Sequence, residues 1–208
     1  MISEDASHHA GIKKYCDTLE EIKLRIKAVQ NIVNKKVDLT VFENTLFTEE
    51  FIFIQIRKIL ELVVFGSMSS NIALYEKTYA DYTRHEHAKN ILKNLKKINP
   101  NFYPLPLQQV ESDKESIHLE NVENGYLTEE DFIFLYDTSS QIIHAPNPYA
   151  VAQKIDLKMS INDWMHRIAS LLWFHKMQLA GTDEFWFVYL VHPETKRSKA
   201  IKSLIQPR

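Results

Sequence analysis

The sequence predicts a mainly α-helical protein, a multi-helix up-and-down bundle with a small C-terminal β-hairpin. Apolar residues recur at three- and four-residue steps through several long segments, as on one face of an amphipathic helix. Near the C-terminus this period gives way to two short runs of aromatic and branched residues around a turn, the pattern of a hairpin. The chain has 208 residues, of which 45% are apolar, so it can bury a substantial core.

The chain is expected to have three parts. Residues 1–9 are polar and predict a mobile N-terminus, residues 10–180 form the helical domain, and residues 181–208 form a β-hairpin appendage packed on it. The first helix is expected over about residues 10–34. Its apolar positions follow the helical period and are Ile12, Tyr15, Leu19, Ile22, Ile26, Val29 and Val33.

The second helix is expected to begin at Thr48, which is followed by two glutamates and is therefore suited to cap a helix N-terminus. It should continue to about Asn71. Its apolar residues cover more than one stripe, which predicts a central position in the bundle. Arg57 and Glu61 lie one helical turn apart within this apolar stretch.

A third helix is expected from about Leu74 to Ile98, where Asn99 and Pro100 should end it. Residues 84–97 carry five Lys or Arg against one Glu, whereas residues 111–131 carry eight Asp or Glu against one Lys. These charges predict two solvated faces, and a contact between them or a polyanion site on residues 84–97 stays open. The stretch 101–123 is expected to form a loop or short extended pieces.

Local signals agree best over residues 127–149. Thr128 can cap a helix whose first turn is acidic, and carboxylates there interact favourably with the helix dipole. The helix should end at His144, before the sequence Pro146-Asn147-Pro148.

The last helix should begin after a cap at Ser160 and run to about Leu179, with Gly181 as its stop. Two strands are expected after it, over about residues 185–191 and 198–205, joined by the turn HPETKR.

Composition excludes several classes of protein. The formal charge of −2 argues against an avid nonspecific DNA binder. Cys16 is the only cysteine, so no internal disulfide forms, and this composition predicts a reducing, cytoplasmic location. No secretion signal is apparent, and charges interrupt the most apolar stretch, 51–68, which argues against a membrane span. Nucleotide-binding glycine motifs are absent, and the histidine spacing gives no compact ligand set, so we expect no cofactor and no metal.

The candidate catalytic residues are His144, Arg57, Glu61 and His175. His144 would lie at a helix C-terminus, which favours the imidazolium, and an Arg facing a cleft can hold phosphate or carboxylate. His144 also has a structural interpretation as a helix stop, and Arg57 and Glu61 have one as a structural pair. Tyr136, Asn147 and Arg167 are the candidate ligand-binding residues.

The helical core, the helix that reads RKILELVVF, and a second helix that ends in His before a polar turn resemble the HEPN class of helical domains. The resemblance covers about Thr48 to Leu179. It implies a dimeric protein and metal-independent RNA cleavage of the kind found in toxin and defence systems. Members of the class carry an Arg followed by four to six residues and a His. In this chain Arg167 and His175 are separated by seven residues, so an inactive relative fits the sequence equally well.

Two functions follow from the sequence. The first is a cytoplasmic interaction or regulatory module that binds a protein or a small ligand in a cleft near residues 127–149. The alternative is an HEPN-like ribonuclease or RNA-binding protein, in which Arg57 or Arg167 stabilises phosphate charge and His144 or His175 transfers protons. A homodimer and RNA are therefore open as partners, DNA and membranes are not expected, and the sequence leaves open whether the protein is an enzyme.

Overall fold

A computed structural model describes residues 4–38, 44–79, 81–84, 87–110, 118–145, 147–149, 154–178 and 184–204. Helices make up most of this part of the chain, as the sequence predicts. The helices are α1 (Glu4–Val33), α2 (Thr45–Ser70), α3 (Ile72–Thr78), α4 (Ala88–Ile98), α5 (Glu129–Ile143) and α6 (Ile161–Leu172). The strands are β1 (Leu105–Val110), β2 (His118–Asn121), β3 (Phe174–Gln178), β4 (Glu184–Tyr189) and β5 (Lys199–Leu204).

The β structure is larger than the hairpin that the sequence predicts. Strands β4 and β5 do form a hairpin, with Phe187 opposite Ile201. However, the hairpin belongs to a five-stranded antiparallel sheet with the order β2-β1-β3-β4-β5. The fold is therefore a helical assembly packed against a sheet. The sequence did not predict the sheet because β1 and β3 pair across 68 or more intervening residues, and no local pattern reports such a pairing.

Helices α1 and α2 form the centre of the helical layer. Glycine at two positions lets them approach closely: a Cβ on Gly11 would lie 2.2 Å from the Ser69 carbonyl oxygen, and a Cβ on Gly66 would lie 2.7 Å from the Tyr15 ring. Helix α1 begins at Glu4, within the residues predicted to be mobile. Helix α2 begins three residues before Thr48, because the Asn44 side chain accepts a hydrogen bond from the Leu46 N–H at 2.9 Å.

The predicted third helix is broken. Helix α3 ends at Thr78. The next residue, Tyr79, has an extended backbone, and a short 3-10 turn at Tyr82–Arg84 precedes α4. His87 is also extended and caps α4. No Gly or Pro marks the break. Tyr, Asp, Thr and His, which have low helix propensity, make up six of the nine residues 79–87, but the other three are Ala, Arg and Glu, so the local signal is weak. His85 lies outside the described residues.

The predicted helix boundaries hold well for α5 and for the start of α6. Thr128 and Asp131 form a reciprocal capping box at the start of α5, and Ser160 and Asp163 form another at the start of α6. The predicted end of α6 is wrong, because the helix stops at Leu172. The next residues form β3, in which buried and partly exposed side chains alternate against β4.

The two faces of the sheet differ. His175, Met177, Trp186 and Val188 are buried on the inner face, and α1 packs over it, with the His9 ring 5.7 Å from the Trp186 ring. We call the opposite side the outer face. By register and alternation it comprises Leu105, Leu107, Gln109, Leu119, Asn121, Phe174, Lys176, Gln178, Phe185, Phe187, Tyr189, Lys199, Ile201 and Ser203.

None of the described helices combines the length and the apolar character that crossing a membrane requires.

Candidate functional site

A cleft of about 620 Å³ opens between the start of α5, the end of α4 and one corner of the sheet. We call it the α5 cleft. Lys96 comes from α4, Glu129 and Glu130 come from the first turn of α5, and Lys176 comes from the outer face. A volume of this size is typical of sites for small molecules.

A network of side-chain amides joins two segments that line the α5 cleft. The Asn99 side chain donates to the Asn71 side-chain oxygen and to the Gln178 carbonyl, both at 2.9 Å. Its own oxygen accepts from the Asn101 N–H at 3.0 Å, and the Asn101 side chain donates to the Gln178 side chain at 2.7 Å. These bonds tie the turn after α4 to the end of β3, so the two walls hold a fixed separation.

The opposite wall is fixed by the chain around the start of α5. The Tyr103 hydroxyl donates to the Leu127 carbonyl at 3.0 Å, and the Leu127 N–H donates to the Arg167 carbonyl at 3.0 Å. The capping box at Thr128 then sets the direction of α5. The cleft is therefore built from rigid elements on both sides.

The charges in the α5 cleft are only partly paired. Lys96 and Glu129 form an ion pair at 2.8 Å, and this hydrogen bond raises the pKa of Lys96 above its usual value. Among the described residues, neither Lys176 nor Glu130 forms an ion pair. The Lys176 ammonium lies 5.7 Å from the centre of the Phe185 ring. One cation and one carboxylate are thus left for a ligand.

Arg57 lies away from the α5 cleft, in a polar cluster between α2 and α5. Its guanidinium donates to Glu61 at 3.0 Å, to the Tyr136 hydroxyl at 2.5 Å and to the Ser140 hydroxyl. It also lies 3.4 Å from the centre of the Tyr136 ring. The structure therefore brings three of the predicted site residues together, with Arg57 holding Glu61 and Tyr136.

His144 and Asn147 lie beyond the end of α5. His144 caps the helix through its backbone N–H, which donates to the Ser140 carbonyl, and its side chain is exposed. The Asn147 side chain accepts from the Tyr149 N–H at 3.0 Å, which is an Asx turn. Because α5 has 15 residues, about 22 Å separates this end from the α5 cleft.

His175 lies on β3, where the sequence predicts a helix. Its ring is fully buried; Nδ1 donates to the Leu172 carbonyl at 3.0 Å, and Nε2 accepts from the Tyr15 hydroxyl at 2.7 Å. Burial lowers the pKa of His175 to about 4, so the ring is neutral at pH 7. Arg167 is 36 residues from its partner in sequence and forms an ion pair with Asp131 at 2.6 Å.

The sequence missed the residues that line the α5 cleft. None of its seven candidates lines it, and its main members come from α4, the first turn of α5 and β3. No strand signal marks Lys176, because the apolar residues of the segment Phe-His-Lys-Met-Gln are three positions apart, which is a helical spacing. One contact between the basic and acidic segments is present, the ion pair of Lys96 and Glu129 at 2.8 Å. Lys89 of the basic segment pairs instead with Asp137, which lies beyond the acidic segment, at 2.9 Å.

Comparison with family models, with curated proteins and with solved structures gives no match. Within the described part of the chain, no group of three or more His, Cys, Asp or Glu side chains is placed to hold a metal ion.

Proposed function

We propose that the protein is an interaction or regulatory module that binds a small ligand, or a short segment of a protein partner, in the α5 cleft. One observation carries the proposal. Lys176 and Glu130 line the same cleft with opposite charges, and neither has an ion-pair partner among the described residues. Lys176 is partly buried and Glu130 is exposed, so the charged groups of one ligand can reach both.

The chemistry of the walls indicates the class of ligand. Lys176 suits a carboxylate and Glu130 suits an amine, while Tyr126, Ile133 and Phe185 offer apolar surface between them. A zwitterion with an apolar side chain meets all three features. We therefore propose an apolar dipeptide, or the equivalent terminus of a peptide, as the ligand.

The ribonuclease alternative has less support from the geometry. Arg57 already donates to Glu61, Tyr136 and Ser140, and its side chain is only 18% exposed. His175 is fully buried and neutral, which leaves His144 as the candidate with an exposed ring. An Arg engaged in this way has few donors left for a phosphate.

The proposal is tested by calorimetric titration of the protein with a panel of apolar dipeptides. Each dipeptide is also tested with its amine acetylated and with its carboxylate amidated, because each change removes one charge. We expect binding by a free dipeptide and at least tenfold weaker binding by both capped forms. Equal binding of free and capped forms, or no binding by any of them, would contradict the proposal.

Two variants assign the charges. In Glu130→Gln the acetylated and free dipeptides should bind equally, whereas in Lys176→Gln the amidated and free dipeptides should bind equally. Glu49→Gln and Lys27→Gln are matched controls, since both residues are exposed, lie far from the cleft in sequence and do not line it. These controls should leave every affinity unchanged.

A further inference from the structure

The outer face of the sheet is unusually rich in aromatic side chains. Phe185, Phe187 and Tyr189 alternate along β4, and Phe174 on β3 lies next to two of them. The ring centres of Phe174 and Tyr189 are 4.4 Å apart, and those of Phe174 and Phe187 are 6.3 Å apart. These rings are only partly buried, so no other element of the described chain covers them.

Three of these rings, Phe174, Phe187 and Tyr189, border a recess of about 500 Å³ on the outer face. Its walls also include Leu107 from β1 and Ile201 from β5, and the Trp173 side chain at its margin is 60% exposed. Gln109 adds an amide at the rim. The recess is thus apolar and aromatic within, with hydrogen-bonding groups at its edge, a combination that suits flat heterocyclic rings.

The charges on the outer face have one sign. Lys176 lies opposite Phe187, and Lys199 lies opposite Tyr189. No Asp or Glu belongs to the outer face, so its described side chains have a charge of +2 although the whole chain has −2. The connection between β1 and β2, residues 111–117, has three acidic residues and one lysine and lies outside the described residues.

We propose that the outer face binds single-stranded nucleic acid. Bases stack on the partly exposed aromatic rings, and phosphates contact Lys176 and Lys199, which are the two types of contact that proteins use for unpaired strands. A second copy of the chain is a poorer fit, because a symmetric contact would bring lysines together with no carboxylate on either face. Duplex DNA is also a poorer fit, because its bases are not free to stack on these rings.

This inference does not rest on the α5 cleft. The recess and the cleft share no lining residue, although Lys176 belongs to the outer face and also lines the cleft. The tests below therefore change Phe187, Tyr189 and Lys199. Failure of dipeptide binding would leave this proposal standing, and failure of nucleic-acid binding would leave the cleft proposal standing.

The experiment is fluorescence anisotropy with labelled oligouridine and oligodeoxythymidine of about ten nucleotides, titrated with the full chain over a range of NaCl concentrations. Two phosphate contacts predict that log K falls with log salt at a slope of about −1.4. Equal binding of both strands would indicate contacts to bases and phosphates, and tighter RNA binding would indicate contacts to the 2′-hydroxyl. Either result supports the proposal.

Variants test each type of contact. Phe187→Ala and Tyr189→Ala should weaken binding by about 5-fold to 150-fold, as expected for loss of one stacked base. Phe187→Tyr keeps an aromatic ring and should retain binding, which separates stacking from a folding defect. Lys199→Gln should reduce the salt slope by about 0.7.

The matched controls are Tyr149→Ala and Lys27→Gln. Tyr149 is 94% exposed and Lys27 is exposed, and neither lies on the outer face, so both variants should bind as the unchanged chain does. Three results would overturn the proposal: no binding of either strand at 50 mM salt, equal affinities for the outer-face and control variants, or self-association or acidic-peptide binding at this face in place of nucleic acid.

Discussion

Neighbouring residues of β3 have opposite roles on the two faces of the sheet. His175 and Met177 are buried under the helices, with every polar atom of the His175 ring hydrogen-bonded. Phe174 and Lys176, one residue away in each case, point to the outer face and are partly exposed. The same five-residue strand therefore contributes to the core and to a surface that has no covering element in the described chain.

The difference separates residues that hold the fold from residues that are free to bind. Polar groups of the inner face and of the Arg57 cluster find their partners inside the protein. The charged and aromatic groups of the outer face and of the α5 cleft are incompletely paired, and this is the property expected of a binding surface. The candidate polar residues that the sequence identifies fall mainly in the first group.

Met177→Ala is expected to have the largest effect on stability. The side chain is 1% exposed, so truncation leaves a cavity and should lower the free energy of unfolding by about 2–5 kcal/mol. Lys176→Ala, on the adjacent outward position, should change it by about 0.5 kcal/mol or less. Urea unfolding of both variants measures the contrast, and similar losses would contradict the assignment of the two faces.

Acid should weaken the inner face through His175. Its pKa is about 4 in the folded protein, below the value of about 6.5 expected in the unfolded chain, so the unfolded state binds more protons between these values. Stability should therefore be highest above pH 6.5 and should fall by about 3 kcal/mol as pH drops to 4. Urea titrations at several pH values in this range measure how the free energy of unfolding changes with pH.

His175→Gln is the control for this pH dependence. Glutamine can donate and accept hydrogen bonds but does not titrate. The free energy of unfolding of the variant should therefore lack the pH dependence between pH 4 and 6.5 that the imidazole causes. The stability difference between the original chain and the variant should consequently shrink as pH falls. Parallel curves for the two proteins would assign the acid sensitivity to other groups.

A smaller effect is expected at the Arg57 cluster. Arg57→Lys keeps the charge but loses the planar group that contacts Glu61, Tyr136 and Ser140 together, and this should cost about 1 kcal/mol of unfolding free energy. His144→Ala, at an exposed site just after the end of α5, should change the free energy of unfolding by less than about 0.5 kcal/mol. Thermal unfolding of both variants tests this, and a neutral Arg57→Lys would mean that the cluster contributes little.

The sequence alone determined the elements that are specified by neighbours along the chain. Thr128 and Asp131 lie three residues apart, as do Ser160 and Asp163, so both helix starts could be read as local patterns. The apolar period of α1 and the strand pattern of β4 and β5 were equally local. The class of the protein, mainly helical with β structure at the C-terminus, follows from these signals.

Tertiary structure decided the elements whose partners are distant. Residues 174–178 have apolar residues at a helical spacing, but pairing with β1 and β4 makes them a strand, which places His175 in the core and Lys176 on the outer face. The α5 cleft likewise combines residues from α4, α5 and β3 that are far apart in sequence. Burial and pairing depend on which segments of the chain pack together, and a single sequence does not show this. The sequence could therefore identify candidate polar residues, but it could not distinguish those that are buried and paired from those that are available to a ligand.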